Sequence, residues 1–209
     1  MRPSDEVIAG VLVGGQSRRM GRAKALLPHP CAPTFLEHVV GVAQRVVPEV
    51  VLLGRPDSLP TALRDVPRLA DAQPNRGPLG GLCSALDAAK DRWVLLLACD
   101  LGWLGPEVLR RLLRHRSPDV DAVVFARDGN RALYHTCCAL YHPRTRPAVT
   151  HELAHGSASL HAVLRAVSVR ALTPGTACAR QLAGVNTPED LTQMLTHAAS
   201  THKTSGFTR

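Results

Sequence analysis

Apolar and polar positions along this chain fall into short runs whose period switches repeatedly between that of a strand and that of a helix. Val7 to Val13 has no polar side chain and reads as a strand buried on both faces. From Thr34 the period lengthens. Thr34 and Glu37 form a capping box, apolar residues at 35, 36, 39, 42, 43, 46 and 47 mark one helical face, and Pro48 stops the run. Val50 to Leu53 predicts a second buried strand, 58–63 a short helix, and 68–70 a brief third strand. A helix opens at Gly77 and runs to about Lys90. Trp93 to Ala98 is the most hydrophobic strand, which assigns it to the middle of the sheet. A helix over 106–115, with Pro106 in its first position, and a strand over 121–126 come next. Residues 132–141 predict one further strand, antiparallel to its neighbours. Helices over 144–154 and 160–167 lead to late strands over 167–172 and 181–185. Thr187 then caps a last helix whose first residue is Pro188, and from His197 the chain turns polar and irregular.

Strands alternating with helices predict an α/β fold: one three-layer α/β/α domain over 1–196 with a mostly parallel central sheet, followed by a disordered tail over 197–209. A chain of 209 residues is long enough for a substantial core, and no internal repeat or linker divides it.

Composition narrows the class. Aromatic residues make up 3% of the chain, so the core rests on Leu, Val and Ala. A formal charge of +8 suits polyanionic partners, but the basic residues are dispersed and few aromatic rings exist to stack bases, which argues against nucleic acid. No apolar run is long enough to span a bilayer, and the N-terminus lacks the order of a secretory signal, so a cytoplasmic location is expected. The six cysteines show no C-x-x-C pair. Cys137 and Cys138 would point to opposite faces of a strand, a structural arrangement. His135, His142, His151, His155 and His161 lack zinc-site spacing and read as solvated histidines.

The chemistry begins where the first strand ends. Gly14 and Gly15 let the backbone turn sharply and approach a ligand, and Ser17, Arg18, Arg19 and Lys24 add a hydroxyl and three fixed charges to one loop. Such a loop is suited to a polyphosphate. It is neither a P-loop, since Lys24 lies between Ala23 and Ala25, nor a dinucleotide fingerprint, since the glycine spacing is wrong. Further on, Gly80 and Gly81 open a helix, where each glycine costs about 1 kcal/mol relative to alanine. A phosphate at the helix N-terminus or close packing on a strand would each explain them. Asp100 follows the central strand, where open α/β sheets bind ligands and a carboxylate can hold Mg²⁺ on phosphates. Asn186, just before the last helix cap, can face a ligand.

In this order, the loop at 12–24, Gly77-Pro78-Leu79-Gly80-Gly81, Cys99-Asp100 and Asn186-Thr187-Pro188-Glu189-Asp190 resemble the molybdenum cofactor guanylyltransferase family, MobA-like proteins with a GT-A-like nucleotidyltransferase fold. The resemblance implies transfer of GMP from GTP to the terminal phosphate of molybdopterin, with Mg²⁺ as cofactor and pyrophosphate released. It implies backbone contacts to the nucleotide from Leu12, Val13 and Gly14, with Gly15 and Ser17 in the same loop. Lys24 and Arg19 would lie on the phosphates, Asp71 on the nucleoside and Asp100 on Mg²⁺, with Asn186 as a second metal or substrate position. Partners would be GTP and molybdopterin, with transient contact to molybdenum-cofactor carrier proteins or target enzymes. Val13-Gly14-Gly15 and the Gly-Pro-Leu segment favour guanylyl over cytidylyl transfer. The chain departs from the family pattern at Leu101-Gly102-Trp103, where Met-Pro-Phe is frequent, and at Leu53-Gly54-Arg55, where an Asn is expected. Three activities follow: guanylyl transfer; cytidylyl or sugar-phosphate nucleotidyl transfer on the same fold; and GTP or cofactor binding without chemistry.

Overall fold

Alternation along the first strand sets the layers. In the computed structural model, which describes residues 6–13, 24–54, 59–70, 76–127 and 130–204, Val7, Ala9 and Val11 of β1 (Val7–Leu12) face one apolar core and Ile8 faces another. The first core is covered by α1 (Phe35–Gln44) and α3 (Pro106–Arg114). The second is covered by α2 (Gly77–Ala89), α4 (Arg146–Ala154) and α5 (Leu160–Arg165). α1 starts where its capping box predicts. The Thr34 hydroxyl accepts the Glu37 N–H at 3.2 Å and donates to the Glu37 carboxylate at 2.7 Å.

The sheet between the helix layers runs in the order β3 (Arg68–Leu69), β2 (Glu49–Leu53), β1, β4 (Trp93–Ala98), β7 (Cys138–Tyr141), β5 (Ala122–Arg127), β6 (Asn130–Tyr134). β8 (Val169–Leu172) pairs with β5. Among the described strands only β6 and β7 run against the others, so the sheet is mostly parallel. β4 is central, as its hydrophobicity predicts, and its residues Val94 to Leu97 are fully buried. Register lines up the strand ends: Leu12 lies opposite Leu53 on one side and Ala98 on the other. Segments leaving β1, β2 and β4 therefore emerge together at one rim, the place where open α/β sheets bind ligands. Among the described residues, no helix is long and apolar enough to cross a membrane.

Three expectations are corrected. Residues 132–141 form two strands separated by a turn, in which the Cys138 N–H reaches the His135 carbonyl at 3.3 Å. The break arises because β7 inserts between β4 and β5, whereas β6 pairs with the far end of β5 at the sheet edge. Residues 181–185 are not a strand but the end of α6 (Thr176–Gln181) and an irregular segment. Its apolar residues, Leu182 and Val185, are three apart and enter separate clusters instead of pairing with a strand. Finally, α7 (Pro188–Thr204) continues past His197, where an irregular tail is expected from polarity alone. Its buried anchor is Met194, 1% exposed.

Candidate active site

Three of the residues singled out in the sequence meet at the rim. Lys24 opens a single 3₁₀ turn (Lys24–Leu26), Asp100 follows the end of β4, and Asn186 lies two residues before α7. The Lys24 ammonium is 3.3 Å from Asp100 Oδ2 and 2.7 Å from Asn186 Oδ1. These contacts bridge 76 and 162 residues of chain. Both members of the ion pair are partly shielded, their side chains 19% and 25% exposed, so it is screened less than a surface pair.

Backbone bonds hold the groups in place. The Asp100 carbonyl accepts the N–H groups of Gly102 and Val185, both at 2.9 Å, tying the metal-binding candidate to the residue before Asn186. Asn186 Nδ2 donates to the Gly184 carbonyl at 2.9 Å, which turns Oδ1 toward Lys24. The Asp190 carboxylate accepts the N–H groups of Asn186 and Thr187 at 2.8 and 2.9 Å, and the Thr187 hydroxyl accepts that of Asp190 at 3.1 Å. Those two backbone donors hold the Asp190 carboxyl below its ordinary range. The helix start that sequence grammar explains without function thus also anchors Asn186.

Two thiols beside Asp100 contribute no reactive thiolate. Burial, reinforced by the Asp100 charge, pushes Cys99 up to about 12, and burial pushes Cys137 up to about 11. Cys138, the first residue of β7, packs in the first core and Cys137, in the turn before it, against the second, so the two thiols face opposite sides although only one lies in a strand. Among the described residues no cluster of three or more His, Cys, Asp or Glu side chains is placed to hold a metal alone. The oxygens of Asp100 and Asn186 that converge on the Lys24 ammonium are hard donors already facing one cation.

Leu12 and Val13 also reach the rim, and the Val13 N–H is taken by the Leu53 carbonyl at 3.0 Å. Gly14, Gly15, Ser17, Arg19 and Asp71 lie outside the described residues. At Gly81, of the two readings open in the sequence, close packing is the one seen: a Cβ there would come within 2.6 Å of Leu12 Cδ2.

Sequence reasoning missed the other wall of the site. A cavity of about 270 Å³ adjoins Asp100 and Asn186, and Arg127, Tyr134, His135, Thr136 and His161 contribute to its lining. His161 Nε2 accepts the Tyr134 N–H at 3.3 Å, and their rings lie nearly parallel with centroids 6.3 Å apart. His135 and His161, read as solvated from spacing, are thus cavity residues, whereas His151 and His155 pair with each other at the end of α4. Arg127, the last residue of β5, carries the one signal that could have pointed here: a charge at the carboxyl end of a buried strand.

Comparison with known proteins agrees with this fold. Residues 9–172 match the family described as MobA-like NTP transferase domain. A probable molybdenum cofactor guanylyltransferase from Mycobacterium avium (strain 104) is 34% identical over 197 residues, covering 91% of this chain and 96% of the relative. The protein of that description from Mycobacterium tuberculosis (strain ATCC 25618 / H37Rv) is 40% identical over 148 residues, covering 68% and 71%. Among solved structures, molybdopterin-guanine dinucleotide biosynthesis protein A from Archaeoglobus fulgidus superposes with a TM-score of 0.76 at 20% identity, over 92% of this chain and 99% of that one. The 2-C-methyl-D-erythritol 4-phosphate cytidylyltransferase from Thermus thermophilus gives 0.65 at 16% identity, over 91% and 98%. At such identities these two structures speak for the fold.

Proposed function

Since the chain belongs to the MobA-like NTP transferase family, we propose that it moves GMP from GTP to the terminal phosphate of molybdopterin, releasing pyrophosphate and forming a guanine dinucleotide cofactor. The observation that carries this reading is the convergence of Lys24, Asp100 and Asn186 at the ends of β1 and β4, next to a cavity of a different chemical character. The six cysteines are free thiols, the state a reducing cytoplasm maintains.

An oxygen of the acceptor phosphate attacks the α-phosphorus of GTP. A new P–O bond forms there as the bond to the β-phosphate breaks, and pyrophosphate carries away the electron pair. The protein's share of this is positioning and charge neutralisation. Lys24 exchanges its contacts with Asp100 and Asn186 for the nucleotide phosphates. Arg19 and Ser17 would join it on the phosphates, Gly14 and Gly15 would allow close backbone approach, and Asp71 would hold the nucleoside. Asp100, with Asn186 Oδ1 beside it, fits Mg²⁺, which is bound through one or two protein oxygens together with substrate phosphates. When bound, Mg²⁺ would supply charge stabilisation on the phosphate oxygens. On the other side, the Arg127 guanidinium, the imidazoles of His135 and His161 and the ring of Tyr134 suit a phosphorylated heterocyclic acceptor. The product would pass to a cofactor carrier or a target enzyme by transient contact.

Pyrophosphate release is the test, with Mg²⁺, Mo-loaded molybdopterin and either GTP or CTP. Release with GTP and not CTP supports guanylyl transfer. Release with CTP moves the specificity to cytidylyl transfer, and release only with a sugar phosphate changes the acceptor. Measurable GTP binding without release under any of these conditions would leave a nucleotide-binding protein.

A further inference from the structure

His29 lies outside every motif of the sequence, yet both of its ring nitrogens are bonded and it is 7% exposed. Nδ1 accepts the Cys31 N–H at 3.1 Å, so the proton of the neutral ring is on Nε2, which donates to the Gly102 carbonyl at 2.8 Å. The ring stacks on His38 with centroids 3.9 Å apart and meets the Phe35 ring edge-on at 5.3 Å. His38 Nε2 in turn lies 3.0 Å from the Leu104 carbonyl. Two imidazoles on the N-terminal side thus hold two carbonyls of the loop that follows Asp100.

The segment that carries His29 is stiff. Pro28, Pro30 and Pro33 confine the residues before them to extended backbone, and the Phe35 N–H closes on the Leu27 carbonyl at 3.0 Å. Leu27 is buried with Phe35, Val185 and Met194. Lys24 is three residues before Leu27, and Val185 immediately precedes Asn186. Gly102 fits because it has no side chain: a Cβ would stand 2.5 Å from Phe35 Cε1. The Gly102 N–H reaches the Asp100 carbonyl, so His29, Gly102 and Asp100 form one bonded chain.

We infer that His29 is a positioning residue: its imidazole latches the segment bearing Lys24 to the loop bearing Asp100, so the ammonium keeps its place when Asp100 takes another partner. The direct contact of Lys24 with Asp100 cannot do this, because substrate and metal must replace it; this part rests on the proposed transferase reading. The latch persists through the exchange, since neither of its bonds involves a group that touches substrate.

The test compares full-length wild type with His29→Ala, His29→Gln and His29→Asn. A glutamine amide nitrogen reaches about as far as Nε2 and can still donate to the Gly102 carbonyl. An asparagine reproduces only the Nδ1 acceptor. His29→Ala and His29→Asn are expected to lower kcat by about tenfold to a hundredfold, the scale of a small misplacement of a reacting group, with little change in KM for GTP. His29→Gln should recover most of kcat. In a Trp93→Phe background, emission from Trp103, the neighbour of Gly102, should shift in the Ala and Asn variants and return in Gln. Equal kcat in Gln and Asn, or Trp103 emission indifferent to all three changes, would overturn the latch. Should wild type release no pyrophosphate, the transferase reading falls, and the order of the Trp103 spectra still decides the latch. If His29→Ala does not fold, the comparison of Gln with Asn carries the same information.

Discussion

On one flank of Asp100, Lys24 stands just ahead of a proline-stiffened segment and is met at 2.7 and 3.3 Å by side-chain oxygens from two distant parts of the chain. On the other, the turn between β6 and β7 walls a cavity with Arg127, Tyr134, His135 and His161, residues that share no motif. The first flank has a pre-set charge arrangement suited to a ligand part common to all nucleotides, the phosphates. The second has shape and mixed polarity, suited to recognition of one acceptor. Division of this kind lets a fold keep its chemistry while the acceptor side changes.

The largest effect expected is on the first flank. Lys24→Ala and Asp100→Ala should each lower kcat by about 10² to 10³, as removal of a group that neutralises developing charge does, while the circular dichroism spectrum stays that of wild type. Near-normal turnover in either purified variant would mean that the two flanks do not divide the work as described.

Acid should loosen that flank selectively. Burial, aided by neighbouring His29 and Arg45 and opposed by the bond to the Leu104 carbonyl, pulls His38 down to about 4. Burial also lowers His29, against its bond to the Gly102 carbonyl. Between the ordinary value of 6.5 and about 4, the unfolded chain takes up a proton at His38 that the folded chain refuses. The stability associated with the neutral ring is therefore complete above 6.5 and declines as pH falls toward 4. Urea unfolding at a series of pH values should show this decline in wild type and a shallower one in His38→Gln. Parallel curves would remove His38 as its cause.

Smaller effects sharpen the other flank. Arg127→Ala should raise KM for the acceptor by roughly tenfold, the loss of a charged hydrogen bond, with KM for GTP changed far less. An equal rise in both constants would place Arg127 on the nucleotide instead. The smallest change is Tyr141→Phe. The fully buried Tyr141 hydroxyl donates to the Thr136 carbonyl at 2.8 Å and pins the turn that lines the cavity. Its removal should cost about 1–2 kcal/mol in chemical denaturation, since a carbonyl is left without its donor. A neutral result would mean that water replaces the hydroxyl.

Legibility in the sequence followed the range of the interactions. β1, α1, β2, α2, β4 and α3 could be read because periodicity, the Thr34 cap and Pro106 act within a few residues. The division of 132–141 into β6 and β7 could not, because it depends on β7 slotting between β4 and β5. Residues 181–185 have strand-like composition, but no strand edge receives them; Val185 gives its N–H to the Asp100 carbonyl instead. In the site, Lys24, Asp100 and Asn186 were visible as members of short motifs. Arg127, His135 and His161 were not, since nothing in their spacing links them.

By itself, then, the chain's sequence determined the layer architecture, the central position of β4 and the identity of the charged groups at the strand ends, all consequences of local burial patterns and short-range chemistry. Only the tertiary structure decided that Lys24 and Asn186, 162 residues apart, share one contact, that two scattered histidines line a cavity beside Asp100, and that His29 bonds to the loop after it. Those pairings depend on which strand rims face each other across the sheet, and register over such distances is set by packing of the whole core.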